Sequence, residues 1–113
     1  EYIKSLNIPT ICFPKGIGEN YSEFCSIVKP NCINIDYEID PKWAVKNLNG
    51  LPVQGGMDPK ILLRGNEKIK ESVNHYLNIF KDYPYIFNLG HGVLPNTKPE
   101  DLKYVINIVR NRK

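Results

Sequence analysis

Several residue types that build dedicated chemistry are scarce in this chain. Its 113 residues include three cysteines, two histidines, one methionine and one tryptophan. Cys12, Cys25 and Cys32 are odd in number and sit inside apolar stretches, with neither a CxxC pair nor a Cys/His ligand spacing. That pattern argues against a disulfide framework or a metal centre, zinc included, and for reduced thiols in a cytosolic protein. No apolar run approaches the ~18 residues of a membrane span, and the first residues carry no signal-peptide pattern. An excess of one charge is also missing, since 15 Lys and Arg face 12 Asp and Glu for a net +3. Basic residues cluster only in the closing "RNRK", which reads as a solvated tail rather than a nucleic-acid surface. Gly16-Ile17-Gly18 lacks the third glycine of a dinucleotide fingerprint, and there is no P-loop, so a small nucleotide binder is disfavoured.

What is present is the material of one globular domain, 42% hydrophobic and 24% charged. Four short runs rich in Ile, Val, Phe and Leu read as strands: 9–13, 32–36, 51–54 and 85–89. None alternates cleanly with polar residues, as expected of strands covered on both faces in a parallel sheet. Helical spacing appears between them. Tyr21, Phe24, Cys25 and Val28 recur at i, i+3, i+4 and i+7, with Asn20 and Glu23 as a capping pair. Asp40-Pro41 and Asp58-Pro59 each pair an N-cap residue with a proline suited to the first helical position. Ile69, Val73, Tyr76, Leu77 and Phe80 mark one face of a helix following Asn66, and its polar side carries His75. Thr97 and Glu100 form a capping box ahead of Leu102, Val105, Ile106 and Val109. The opening "EYIKSLN" reads as the end of a helix whose beginning is absent, so the chain is expected to start within something larger.

Strands that alternate with helices predict an α/β fold with a parallel sheet and right-handed crossovers. Two architectures fit: an open doubly wound sheet, or a section of a (β/α)8 barrel. Four βα units cannot close a barrel, which needs about 250 residues. The interrupted first helix favours half a barrel.

In either architecture ligands bind beyond the carboxyl ends of the strands. There the sequence offers Lys15, Asp36, Gln54, Asp58 and His91, types suited to acid–base work or recognition of a charged ligand. Asp40 and Asp58 read first as helix caps. Asp36 divides between a structural hydrogen bond and the site, Gln54 reads as orienting a neighbour or satisfying the backbone, and Lys15 reads first as solvated. His91 stands apart. It ends an apolar strand between Gly90 and Gly92, which would remove bulk and permit unusual backbone angles beside a ligand. Its imidazole can bind an anion or transfer a proton near neutral pH.

These residues carry a resemblance. "LPVQGGMDPKILL" and "YIFNLGHGVLPNTKPEDLKYVINIVR" resemble the C-terminal part of the uroporphyrinogen decarboxylase family, and "IPTICFPKG" and "CINIDYEIDPKWA" match its two preceding strand segments in order. The likeness spans essentially all of residues 1–113, with Gly56 where Asn is common and Tyr37 where Trp is common. It implies the C-terminal half of a (β/α)8 barrel enzyme that removes carboxyl groups from the four acetate side chains of uroporphyrinogen III, giving coproporphyrinogen III in tetrapyrrole (heme) synthesis. It also implies no metal or organic cofactor, a cytoplasmic homodimer, and an N-terminal half of the same enzyme that supplies the substrate-binding arginines and the aspartate facing the pyrrole N–H groups. In the family the histidine matching His91 contacts the substrate; around it Gly90, Gly92, Gln54, Lys15 and Asp36 are expected to support the site. This chain alone is then expected to be inactive. Two rivals remain: a non-catalytic half-barrel binding module, and a zinc-dependent corrinoid methyltransferase relative. The second is disfavoured because a cysteine ligand is missing near the last strand.

Overall fold

Two of the four strands begin directly after a proline, and the structure uses each of these prolines for the atom it still has. Ile33 N–H donates to the Pro52 carbonyl at 3.0 Å, and Val53 N–H donates to the Pro84 carbonyl at 3.0 Å. The ladder thus takes the carbonyl and never needs the missing donor. The computed structural model describes residues 2–112. Its strands β1 (Ile11–Cys12), β2 (Cys32–Ile35), β3 (Val53–Gly55) and β4 (Tyr85–Ile86) form one parallel sheet in the order β1-β2-β3-β4. The expected α/β class and parallel sheet are therefore found, with each strand shorter than its apolar run. β4 ends early because Leu89 N–H turns to the Asn88 side chain at 2.8 Å, although Leu89 still bridges to Met57.

The helices are α1 (Tyr2–Ser5), α2 (Tyr21–Val28), α3 (Pro41–Asn47), α4 (Asn66–Ile79) and α5 (Pro99–Arg110). The Asp-Pro starts behave as expected. Asp40 accepts from Lys42 N–H and Asp58 from Lys60 N–H, each at 2.9 Å, although Asp58 opens a 3-10 helix (Pro59–Leu63) rather than an α-helix.

Both expected capping boxes are absent. Asn20 is itself helical (φ −67, ψ −1) at the end of a 3-10 turn, so its side chain makes no cap bond. At α5 the decisive residue is Pro99. A residue before proline is pushed out of the helical region, and Lys98 is extended (φ −84, ψ 139). The helix therefore starts at Pro99 with Lys98 as its N-cap, one residue later than a Thr97 cap requires, and Thr97 Oγ1 is left buried without a partner.

Alternation along the strands sorts the sheet into two faces. Cys12, Ile33, Ile35, Val53, Tyr85 and Phe87 face the helices, where Tyr21, Ala44, Ile69, Val73 and Val105 close the core. The Phe80 and Tyr85 rings stack at 4.0 Å between centroids. The opposite face carries Ile11, Phe13 and Ile86, which are 54%, 42% and 49% exposed. No described helix covers these three, so the helices cover one face of the sheet and leave apolar surface on the other.

Candidate functional site at the carboxyl ends of the strands

The uncovered face ends in a cavity of about 450 Å³ lined by Ile11, Phe13, Asn34, Gln54, Asn88, Leu89, His91 and Gly92. Two of the sequence candidates, Gln54 and His91, are thus brought to one opening. His91 is exposed there, its Nδ1 3.4 Å from the Gly92 carbonyl oxygen.

The two glycines beside it do not act as expected. Neither Gly90 nor Gly92 has the left-handed backbone that favours glycine. Gly90 is required by space: a Cβ there would overlap the Tyr37 backbone nitrogen and lie 2.9 Å from the Asp36 carbonyl carbon and 3.1 Å from the Gly56 oxygen. Gly92 faces open space, with nothing within 4 Å of a Cβ. One flanking glycine is thus a packing requirement and the other is unconstrained.

Two left-handed glycines lie one strand over, at Gly55 (φ 87) and Gly56 (φ 107). Their carbonyls are held by two tyrosines, Tyr85 Oη donating to the Gly55 oxygen at 2.6 Å and Tyr76 Oη to the Gly56 oxygen at 2.8 Å. Gly90 N–H then donates to the Met57 oxygen at 2.8 Å, which fastens the segment before His91 to the β3 loop.

Burial, then the neighbouring Asp40 and Asp58, push the Tyr76 phenol up to about 12 from an ordinary 10. Burial first, then the Asp36 hydrogen bond, raises Tyr21 as well, and burial raises Tyr85. A raised phenol keeps its proton longer in the folded chain than in the unfolded one. Its stabilising contribution is whole below pH 10 and is lost as pH climbs towards 12, because the unfolded state ionises first. For Tyr76 alone the loss is about 2–3 kcal/mol. Urea midpoints at pH 9 and 11.5 should therefore fall steeply, and less steeply in Tyr76→Phe. Equal slopes in the two proteins would contradict the assignment.

Asp36 is 2% exposed, and its carboxylate accepts from Gly16 N–H (2.9 Å), Tyr21 Oη (2.9 Å) and Glu38 N–H (3.0 Å). Both oxygens are engaged within the protein. Of the two readings the sequence allowed, the structural hydrogen bond is the one formed, and it ties the Lys15–Gly16 loop to the end of β2. Lys15 itself is exposed, as is His75 on the outer side of α4. Gln54 orients a neighbour: its Nε2 donates to Asn34 Oδ1 at 2.8 Å.

Asn34, 6% exposed, was missed by reading the sequence. Its signal was an amide side chain in the middle of "CINID", where every other residue that forms the strand is apolar. Among the described residues no group of three His, Cys, Asp or Glu side chains could hold a metal ion. No described helix is long and apolar enough to cross a membrane.

The comparison with known families turns on the whole length of the chain. The family model of uroporphyrinogen decarboxylase (URO-D) matches residues 1–112. The chain belongs to this family. Relatives named uroporphyrinogen decarboxylase include those of Novosphingobium aromaticivorans, 39% identical over 105 residues and 92% of this chain, and of Wolbachia from Drosophila simulans, 37% identical over 105 residues and 93% of this chain. One from Cereibacter sphaeroides is 34% identical over 107 residues and 93% of this chain. The chain spans about 31% of the length of each of these relatives. Within the uroporphyrinogen decarboxylase family, then, residues 2–112 contribute a four-stranded parallel sheet whose carboxyl edge gathers His91, Gln54 and Asn34 around one cavity.

Proposed function

We propose that this chain is the C-terminal half-barrel, four βα units, of a uroporphyrinogen decarboxylase, and that it lends His91 to a site completed by the N-terminal half of the same enzyme. The observation that carries the reading is the seating of His91 at the mouth of the cavity on the uncovered face. Exposed Ile11, Phe13 and Ile86 support the same view, since apolar surface on an open sheet calls for further strands and side chains to cover it.

The reaction proposed is the cofactor-free loss of carbon dioxide from four acetate side chains of uroporphyrinogen III in tetrapyrrole synthesis, in a cytoplasmic homodimer. A pyrrole carbon first accepts a proton. The bond to the carboxylate then breaks, its electron pair flows into the cationic ring to leave an exocyclic methylene, carbon dioxide leaves, and the methylene takes up a proton as the ring carbon releases its own. Stabilising that cation needs an anion placed in advance. Asp36 does not serve, because its oxygens are bound to Gly16, Tyr21 and Glu38. The counter-anion and the cations for the substrate carboxylates belong to the other half. His91 is suited to hold a substrate carboxylate or to pass a proton.

The test is a uroporphyrinogen assay on this chain alone and on the chain co-expressed with an N-terminal half. Turnover only in the mixture is expected. Folded protein without turnover in either case would overturn the reading and leave a ligand-binding module.

A further inference from the structure

The sequence contains one Asn-Gly pair, Asn49-Gly50, and both residues are exposed. Such a pair is prone to deamidation, because glycine carries no side chain to hinder attack by its own nitrogen. The Gly50 nitrogen would bond to Asn49 Cγ and give up its proton, the side-chain amide would leave as ammonia, and water would reopen the imide. The product is aspartate, or isoaspartate when the main chain is left running through the side-chain carbons. The fold opposes this reaction. Leu51 N–H donates to the Leu48 carbonyl at 3.0 Å across Asn49 (φ 52) and Gly50 (φ 79), the pattern of a type I′ turn. In such a turn ψ at the first central residue is about +30°, which swings the next nitrogen to the far side of the Cα–C bond from Cβ. A five-membered imide needs that nitrogen and Cβ on the same side. No rotamer of Asn49 closes the ring while the turn stands.

The turn is also held from outside. Tyr83 Oη donates to the Leu51 carbonyl at 2.7 Å, and the Tyr83 ring meets Phe80 edge-on at 5.8 Å between centroids. β3 is an inner strand of the sheet, so the turn that enters it is braced by residues of this chain. We propose that Asn49 is a deamidation site gated by the fold: the Leu48–Leu51 turn keeps it intact, and the Tyr83 hydroxyl sets how often the turn opens. An isoaspartate would lengthen the main chain shortly before Val53, whose N–H bonds to the Pro84 carbonyl. Each event therefore loosens the start of the strand.

The experiment incubates the full-length protein carrying this chain in mildly alkaline buffer, folded and in urea. The peptide containing Asn49 is followed by mass spectrometry for loss of the amide. Folded wild type should deamidate more than about tenfold slower than the unfolded chain, because the turn must first open. Tyr83→Phe keeps the ring and removes the hydroxyl. It should speed the folded reaction about three- to tenfold, the share of one hydrogen bond in the opening equilibrium, and leave the unfolded rate unchanged. Equal rates in folded and unfolded wild type would overturn the gate. A folded Tyr83→Phe rate equal to that of wild type would overturn the role of the hydroxyl. If Tyr83→Phe fails to fold, hydrogen exchange at the Leu51 amide of wild type decides instead. Protection there should match the slowing of deamidation, and a Leu51 amide that exchanges freely while Asn49 stays intact would overturn the proposal.

Discussion

Gly90→Ala should destabilise the protein by about 3 kcal/mol, at the upper end of what one added methyl costs in a packed interior. Added methyls are usually absorbed by a flexible neighbour. Here every neighbour is main chain: the Tyr37 nitrogen, the Asp36 carbonyl carbon and the Gly56 oxygen. Those atoms are held in turn, Gly56 by the Tyr76 hydroxyl and the Gly90 amide by Met57. Relief must come from moving the segment that carries His91, so, on the proposed function, turnover of the chain co-expressed with an N-terminal half should fall along with stability. Gly92→Ala is the matched control. Its Cβ meets nothing within 4 Å and its backbone is ordinary, so its unfolding midpoint in urea should stay within about 0.5 kcal/mol of wild type. Equal effects from the two substitutions would refute the packing account.

Asp36→Ala should cost about 3–4 kcal/mol, because it leaves three donors without an acceptor at once. One of them is the hydroxyl of Tyr21, a fully buried side chain. Another is Gly16 N–H, whose bond to Asp36 spans 20 residues and holds the β1 loop against the end of β2. Hydrogen exchange at Gly16 should rise well beyond what the change in global stability explains. Asp36→Asn, which keeps one acceptor oxygen, should cost less. A stability change below about 1 kcal/mol in Asp36→Ala would show that water replaces the carboxylate and that the loop is held by other contacts.

The order of elements was open to reading because it depends on local rules. Apolar runs bounded by prolines marked the strands, and the Asp-Pro pairs marked helix starts that formed as expected. Where two local rules met, the stiffer one won. Pro99 constrains Lys98 sterically, whereas a capping box gains only a hydrogen bond, so the Thr97 cap lost to the backbone. The site was half legible. His91 announced itself by its place at the end of the last strand, yet the reason for its glycines was hidden, since Gly90 is fixed by a contact with residues more than fifty positions away. Asn34 was harder still. Nothing in "CINID" says that its amide turns towards Gln54, because that depends on the register of β2 against β3, which sets Asn34 beside Gln54.

Gly90 meets residue 37 through that residue's amide nitrogen, not through its ring. The position of the imidazole is therefore indifferent to which side chain stands at 37. A substitution of that side chain leaves the main-chain contact beneath it in place. The Tyr37 ring, free of that contact, lies under the Lys60 ammonium at 5.5 Å. The rim of the opening can thus diversify without the histidine being re-aimed.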